Sequence, residues 1–395
     1  MSAKKKDGEP INEPINEPVL EARWADENEL QNAEIMNEQS AEFLSEYLET
    51  PAPTGLEMDA QRLWAEYIKP YTDEVQCDAY GSTWAVLRAA EENAPTLMLD
   101  AHADEIGFSI RYIDDNGFAR VERVGGSDVA IARGRRIRFI GTDGEVIGIT
   151  GNTAIHLRGG AADEKAPKLH ELYVDFGCDS REEVEALGLR VGSVGVYCDG
   201  PLMLNDGRRL VCRALDDRLC GFVLAEVART LAEKGIKPAW NVVFANTVQE
   251  EIGCVGAGML AFRLQPDAAI CLDVTHATDS PGLDKGRYGD VRLGQGGCLS
   301  FGPVCHPNIN ARLELLSFEQ DIPLQREVTG RSTGTNTDQV YRSRGGVPAT
   351  CFSLPLRYMH SPVEMADMRD VQSCIDLLVA FVASLTTQDD FRHRL

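Results

Sequence analysis

The sequence predicts an α/β fold, a three-layer α/β/α sandwich with a mixed sheet that is interrupted by a small β domain. Three features carry this reading. Apolar, β-branched runs of strand length recur around Thr96 to Asp100, Asn241 to Thr247, Ile270 to Leu272 and Ala349 to Leu356, and uninterrupted runs of this kind suit strands buried on both faces. Segments with apolar residues at helical spacing, such as Glu57 to Ile68, Leu219 to Lys234 and Val371 to Leu385, alternate with them, and strands alternating with helices stack into layers. From about Asp114 to Gly207 the texture changes to short alternating runs punctuated by glycine, so a β domain sits inside the α/β domain.

Taken in order, residues 1–39 form an acidic extension in which INEP repeats and large apolar side chains are few, composition that suits a flexible segment or one draped over a neighbour. A helix could begin near Ala25 and merge into the amphipathic Ser40 to Leu48. The catalytic domain is expected over 40–112 and 208–395, with 113–207 as the insert. The run TLMLDAHADEIGF delivers His102, Asp104 and Glu105 to the end of a strand. In the insert, Thr142-Asp143-Gly144 signals a hairpin and SREEVEALGLRVG a short helix. RALDDRL then places Asp216 and Asp217 before the Leu219 to Lys234 helix, which Gly235 terminates. Two consecutive acids need separate work: one caps the helix or pairs with Arg218, the other points into the crevice. NVVFANTVQEEIG halts on Glu250 and Glu251, AAICLDVTHATD puts Asp273 at the same point of its run, and ATCFSLPLRYMHSP stops near His360. The two halves can share one sheet only if the ends of the insert meet.

In open α/β sheets, ligands bind beyond the carboxyl ends of the strands, so the polar residues at these ends are expected to share a pocket. There, one carboxylate can hold a metal while its neighbour handles a proton. A solvated acidic turn would explain Glu250 and Glu251 alone; it does not explain four strands ending alike. Histidines 156, 170, 306 and 393 read as surface or internally satisfied residues. His276, three positions after Asp273, lies in a loop that faces the pocket and is a candidate for substrate contact. Glu105 is read as structural.

Other chemistries lack candidates. No Gly-x-Ser-x-Gly elbow or cysteine-protease signature is present, and the glycines of LGQGGC and RVGGSD lack phosphate-loop spacing, which leaves them as turns or substrate-loop hinges. With 39 basic against 62 acidic residues, a net charge of −23, nucleic-acid backbones are repelled. Eleven cysteines, scattered without C-x-x-C pairs and often inside apolar runs, suit reduced thiols in a cytoplasmic protein. No apolar run reaches membrane-span length, and MSAKKKDGEP has no apolar stretch after its lysines, so no membrane partner is expected.

The order His-x-Asp, Ala-Leu-Asp-Asp-Arg, Glu-Glu-x-Gly, Leu-Asp-Val-Thr and Pro-Leu-Arg-Tyr-x-His-Ser-Pro resembles the glutamyl aminopeptidase family of dinuclear-metal exopeptidases, which includes the tetrahedral (TET) aminopeptidases. The resemblance runs from Ser40 to Phe391. It implies a zinc-exopeptidase-like sandwich and a barrel-like insert that mediates subunit contacts, in a homo-oligomer from a dimer to a larger shell. Carried over by position, it implies that Asp216 bridges two metal ions, that His102 and Asp273 complete one coordination shell and Glu251 and His360 the other, and that Glu250 stays unligated. Three carboxylates and one hydroxide balance two divalent cations, and nitrogen and oxygen donors suit zinc, with cobalt or manganese as substitutes. A metal-bound water has its pKa lowered to about 7, and a second metal polarises the scissile carbonyl. Glu250 would take the proton from the bridging water, and the hydroxide would attack the carbonyl. Glu250 would then return the proton to the leaving amine, while Asp104 would orient His102 through its second ring nitrogen.

Two segments depart from the family pattern. Asn336-Thr337-Asp338 replaces Gly-Thr-Asp, and Gly294-Gln295-Gly296-Gly297 replaces Gly-x-Gly-Pro; both are expected near the substrate, with Asn336 and Asp338 as candidate contacts. The expected activity is removal of N-terminal residues from short peptides. Alternatives are another dinuclear-metal amide hydrolase, a deacylase or carboxypeptidase, and a catalytically silent assembly subunit.

Overall fold

A computed structural model describes residues 36–158 and 166–395. Most of the expected N-terminal extension, including the helix start near Ala25, lies outside the described residues. The first described helix is Glu38–Glu49, where the Asn37 side chain accepts from Ser40 N at 2.8 Å.

Eight strands form one mixed sheet, in the order Glu74–Cys77, Thr83–Leu87, Asn241–Thr247, Thr96–His102, Ala268–His276, Ala349–Leu356, Gly297–Phe301, Leu324–Val328. The four central strands, from Asn241–Thr247 to Ala349–Leu356, are mutually parallel, so their carboxyl ends lie side by side. These are the four apolar runs of the sequence, and their alternate residues feed two cores. Leu97, Leu99, Val242, Phe244, Ile270 and Leu272 pack with the helices Glu38–Glu49, Met58–Ile68, Leu215–Glu233, Pro307–Glu319 and Met368–Ser384 on one face. Met98, Val243, Ala245, Ala269 and Cys271 pack on the other with Ala257, Leu260 and Ala261 of the helix Val255–Leu264. Burial on both faces is what removed polar alternation from these strands.

The insert is a closed six-stranded barrel, ordered Gly107–Ile113, Phe118–Val124, Tyr173–Asp175, Gly144–Thr150, Arg136–Gly141, Val194–Tyr197, around Phe108, Ile110, Val121, Ile137, Phe139 and Val174. The hairpin falls where Thr142-Asp143-Gly144 placed it, with Gly141 opposite Gly144, and the short helix is Arg181–Ala186, capped by Ser180. The entering and leaving strands are neighbours, Phe108 opposite Gly195, so the ends of the insert do meet. They meet closely: a Cβ on Gly107 would lie 2.5 Å from the Gly195 carbonyl oxygen.

The barrel begins at Gly107, ahead of the expected residue 113, because its buried apolar residues start at Phe108 and Ile110, directly after the polar stretch with Asp104 and Glu105 that follows the sandwich strand. It ends at Tyr197. Arg209–Cys212 instead pairs with Leu202–Leu204 on one side and Glu364–Asp367 on the other, in a separate three-stranded sheet. Among the described residues, no helix is long and apolar enough to cross a membrane.

Candidate metal centre

The parallel strand Thr96–His102 ends on a buried imidazole. Its Nδ1 edge faces the Asp104 carbonyl oxygen at 3.1 Å and the Asp104 carboxylate at 3.4 Å, which leaves Nε2 turned towards Asp216 Oδ1 at 3.2 Å. Asp104 does more than orient His102. Its Oδ1 accepts from Glu250 N at 2.9 Å and its Oδ2 from Glu251 N at 3.2 Å, and Thr54 Oγ1 donates to Oδ2 at 2.8 Å. One buried carboxylate thereby fixes both an imidazole and the turn that carries the glutamate pair.

Asp216 stands between two groups of donors. His102, Asp216 and Asp273 offer ligand atoms within 4.8 Å of one another, and so do Asp216, Glu251 and His360. His360 Nε2 lies 3.2 Å from Asp216 Oδ2 and 3.6 Å from Glu251 Oε1. Glu250 belongs to neither group: its Oε2 is 3.9 Å from His102 Nε2, and its Oε1 accepts from the Cys254 thiol at 3.1 Å.

The electrostatics favour cations here. Burial, reinforced by the charge on Asp216, pushes the Glu251 carboxyl up to about 8. Burial and Asp217 push Asp273 well above the carboxylate range. For Asp216, burial opposes charge, but its contacts to His102 and His360 outweigh burial and hold the carboxyl low. Burial works against a charged His360, yet Asp216 and Glu251 push that imidazole up to about 10. Crowded carboxylates and imidazoles with nitrogen and oxygen donors, in two triads that overlap at Asp216, fit divalent metal binding.

Asp217, the second acid of the pair, neither caps the helix nor pairs with Arg218. The backbone at Asp216 and Asp217 is non-helical, and Asp217 Oδ2 accepts from His102 N at 3.1 Å, so it holds the strand end that presents the imidazole. Arg218 instead joins Arg213 on Glu105: Arg213 Nη1 donates to both Glu105 oxygens at 2.9 and 2.8 Å, and Arg218 Nη2 donates to Oε1. The structural reading of Glu105 agrees with this buried network.

Sequence reasoning did not pick out Glu364. It is buried, accepts from His360 N at 2.7 Å and Asp216 N at 3.1 Å, and so aligns two donors from separate segments. Its spacing four residues after His360 was the available signal. The barrel also reaches the site: a Cβ on Gly126 would lie 2.4 Å from His360 Nδ1. The RVGGSD glycines form a turn, as the sequence suggested, and Gly126 within it makes a close approach to His360.

A cavity of about 700 Å³ opens over the cluster and is lined by Asp216, Glu250, Glu251, Asp273 and His360, with His276 and Asp338 also on its wall. The Asp338 carboxylate is turned into its own loop, accepting from Thr333 N and Gly334 N at 3.0 Å each. Asn336 does not line the cavity. It is 1% exposed and donates to Thr247 Oγ1 at 2.9 Å, so it braces a strand end. Gly294 and Gly296 are also removed from the cavity lining, both donating backbone N–H at 2.7 Å to Asp370. The remaining histidines lie elsewhere, His306 beside His393 with ring centroids 4.7 Å apart and the rings tilted by 33°.

A sandwich with a barrel insert at its neck and a carboxylate-bridged donor cluster at the strand ends is the architecture of an exopeptidase family, and the comparison with known proteins agrees. The chain belongs to the M42 glutamyl aminopeptidase family, which matches residues 81–377. Among relatives, it is 34% identical over 350 residues to a lysyl aminopeptidase of Pyrococcus furiosus, spanning 88% of this chain and 98% of that protein. Among solved structures, an aminopeptidase of the archaeon Desulfurococcus kamchatkensis superposes with TM-score 0.82 at 32% identity, covering 89% of this chain and 96% of the other. The Pyrococcus horikoshii TET1 peptidase, which can assemble into a tetrahedron or a large octahedral shell, superposes with TM-score 0.76 at 29% identity, over 88% of this chain and 100% of the other.

Proposed function

We propose that this protein is a metal-dependent aminopeptidase that removes N-terminal residues from short peptides. The observation that carries the reading is the pairing of two donor triads through one shared carboxylate, Asp216, with an uncommitted carboxylate, Glu250, at their edge. His102 and Asp273 would hold one ion and Glu251 and His360 the other, zinc being the best match to these donors, with cobalt or manganese as substitutes. When bound, two such ions supply a water acidic enough to be deprotonated near neutral pH and polarise a carbonyl oxygen.

The chain's own residues do the rest. Glu250 takes the proton of the attacking water at Oε2, the oxygen that faces the cluster, while the Cys254 thiol occupies Oε1. It then passes that proton to the departing amine, as a general base that becomes a general acid. Asp104 keeps this geometry by gripping the backbone of both glutamates and the far edge of His102. Relatives bearing the names lysyl and glutamyl aminopeptidase support a free N-terminus as the recognised feature.

Association into a homo-oligomer through the barrel follows from the same reading. Ile147 and Ile149, 57% and 53% exposed on one outward barrel strand, supply an apolar face for it. All eleven cysteines are unpaired, in keeping with a reducing cytoplasm. The decisive experiment combines metal analysis with a panel of aminoacyl anilides and N-blocked peptides. Cleavage of free-amine substrates with two ions per chain is expected; cleavage of blocked substrates alone would point to a deacylase or endo-acting enzyme, and metal uptake without turnover to an assembly subunit.

A further inference from the structure

Two carboxylates line the cavity apart from the glutamate pair and the donor cluster, Asp338 and Glu327, and the second stands on the edge strand Leu324–Val328. Its side chain leans inward, Oε2 accepting from the Thr275 hydroxyl at 2.5 Å and Oε1 from the Ser300 hydroxyl at 2.6 Å. The sheet gives it room. Gly297–Phe301 pairs with Ala349–Leu356 only at Cys298 with Ser353 and Leu299 with Phe352, so Ser300 is out of register with that strand and Glu327 reaches across to Thr275.

Two hydroxyls hold this carboxylate in one orientation but bring no charge. Among the described residues, no Lys, Arg or His lies within ion-pair distance of it. Asp338, the other acid on the wall outside the cluster, has its oxygens committed to Thr333 and Gly334. The arginine on the wall, Arg342, is exposed and donates its Nε to the Asp338 carbonyl. Glu327 is therefore an oriented negative charge with room for a cationic partner.

Its position sets what that partner is. Thr275 follows Asp273 by two residues on one strand, so their side chains share a face of the sheet at a spacing of about 7 Å. A peptide held by its first carbonyl at the cluster extends its first side chain over that interval. The four-carbon stem of lysine, about 6 Å when extended, spans it and ends in an ammonium.

We propose that Glu327 is the specificity-determining residue and selects a basic first residue, lysine or arginine, an inference that rests on the aminopeptidase reading. An acidic first residue would face the Glu327 carboxylate and find Arg342 and His276 only at exposed parts of the wall, where a charge pair is weaker than beside half-buried Glu327.

The test uses the full-length, metal-loaded protein and anilides of lysine, arginine, norleucine and glutamate. Lysine and arginine are expected to exceed norleucine at least about tenfold in kcat/KM, the scale of one charge-assisted contact. Glu327→Gln, whose amide oxygen can still accept from one hydroxyl while its NH2 donates to the oxygen of the other, should lower the lysine and arginine values by roughly the same factor and leave norleucine within about threefold. Free L-lysine should also inhibit the unaltered enzyme more strongly than L-norleucine, which has the stem without the ammonium; this arm needs no variant to fold. A preference for norleucine or glutamate, equal inhibition by the two free amino acids, or an equal loss on every substrate in Glu327→Gln would overturn the assignment while leaving the aminopeptidase reading intact. Failure to cleave any free-amine anilide, with blocked peptides still cleaved, would overturn both.

Discussion

A single methyl group placed on the barrel should disturb the metal centre of the sandwich. In Gly126→Ala the new Cβ would lie 2.4 Å from His360 Nδ1 and 2.6 Å from Cε1, whereas ordinary contact begins near 3.4 Å, so one partner must retreat by about 1 Å. The loop is the stiffer of the two: Ser127 is fully buried, and its Oγ donates to the Gly107 carbonyl at 2.9 Å and the Val124 carbonyl at 3.3 Å. The imidazole therefore moves, and with it the donor that faces Asp216 and Glu251. Loss of an orienting contact of this kind costs roughly 10- to 100-fold in metal affinity, and a misplacement of about 1 Å costs on the order of 100-fold in turnover. Competition with a chromophoric chelator would read the affinity and anilide hydrolysis the turnover. Gly330→Ala, with no atom within 4 Å of its Cβ, is the control. If Gly126→Ala binds both ions and turns over like the unaltered protein, the barrel loop does not position His360 and the reasoning fails.

Other expectations follow from the same geometry. Glu250→Gln should keep both ions yet lose about 100-fold or more in kcat, and retained turnover would remove it as the proton carrier. Glu105→Gln takes the compensating charge from Arg213 and Arg218, which are 2% and 0% exposed, and should cost about 3–5 kcal/mol in urea unfolding; a loss under about 1 kcal/mol would show that the carbonyls of Tyr47, Glu49 and Thr50 suffice. Burial pushes the Glu57 carboxyl from 4.5 up to about 7, so its contribution to stability is complete below about pH 4.5 and is lost as pH rises through 7. Glu57→Gln, which cannot ionise, should lose less stability than the unaltered protein between pH 5 and 8; equal slopes in urea midpoints would contradict the assignment. A strong chelator should abolish anilide hydrolysis, zinc, cobalt or manganese should restore it, and unchanged activity after verified metal removal would sink the proposed function.

Chemistry was easier to read than boundaries. His102, Glu250, Glu251, Asp273 and His360 stood out because each ends an apolar run or closely follows one, and the buried parallel strands leave that contrast sharp. Glu364 lacks such contrast, being one acid in a polar turn, and its bonds to His360 N and Asp216 N exist only after two segments far apart in the chain are brought together. Asn336 was misjudged for the converse reason: its place in the family pattern suggested the cavity, while packing turned its amide to Thr247.

Periodicity and residue order by themselves settled the layered α/β fold, the presence of a β segment between the His102 and Asp216 regions and which acids and imidazoles stand at strand ends, because burial on two faces and helical spacing are local properties written into neighbouring residues. Only the tertiary structure decided that Asp217 holds the His102 backbone, that Arg213 and Arg218 share Glu105, that a barrel glycine touches His360 and that Glu327 reaches Thr275. Each of these depends on the distance between residues remote in sequence, which the packing of sheet, helices and barrel sets and no local pattern encodes.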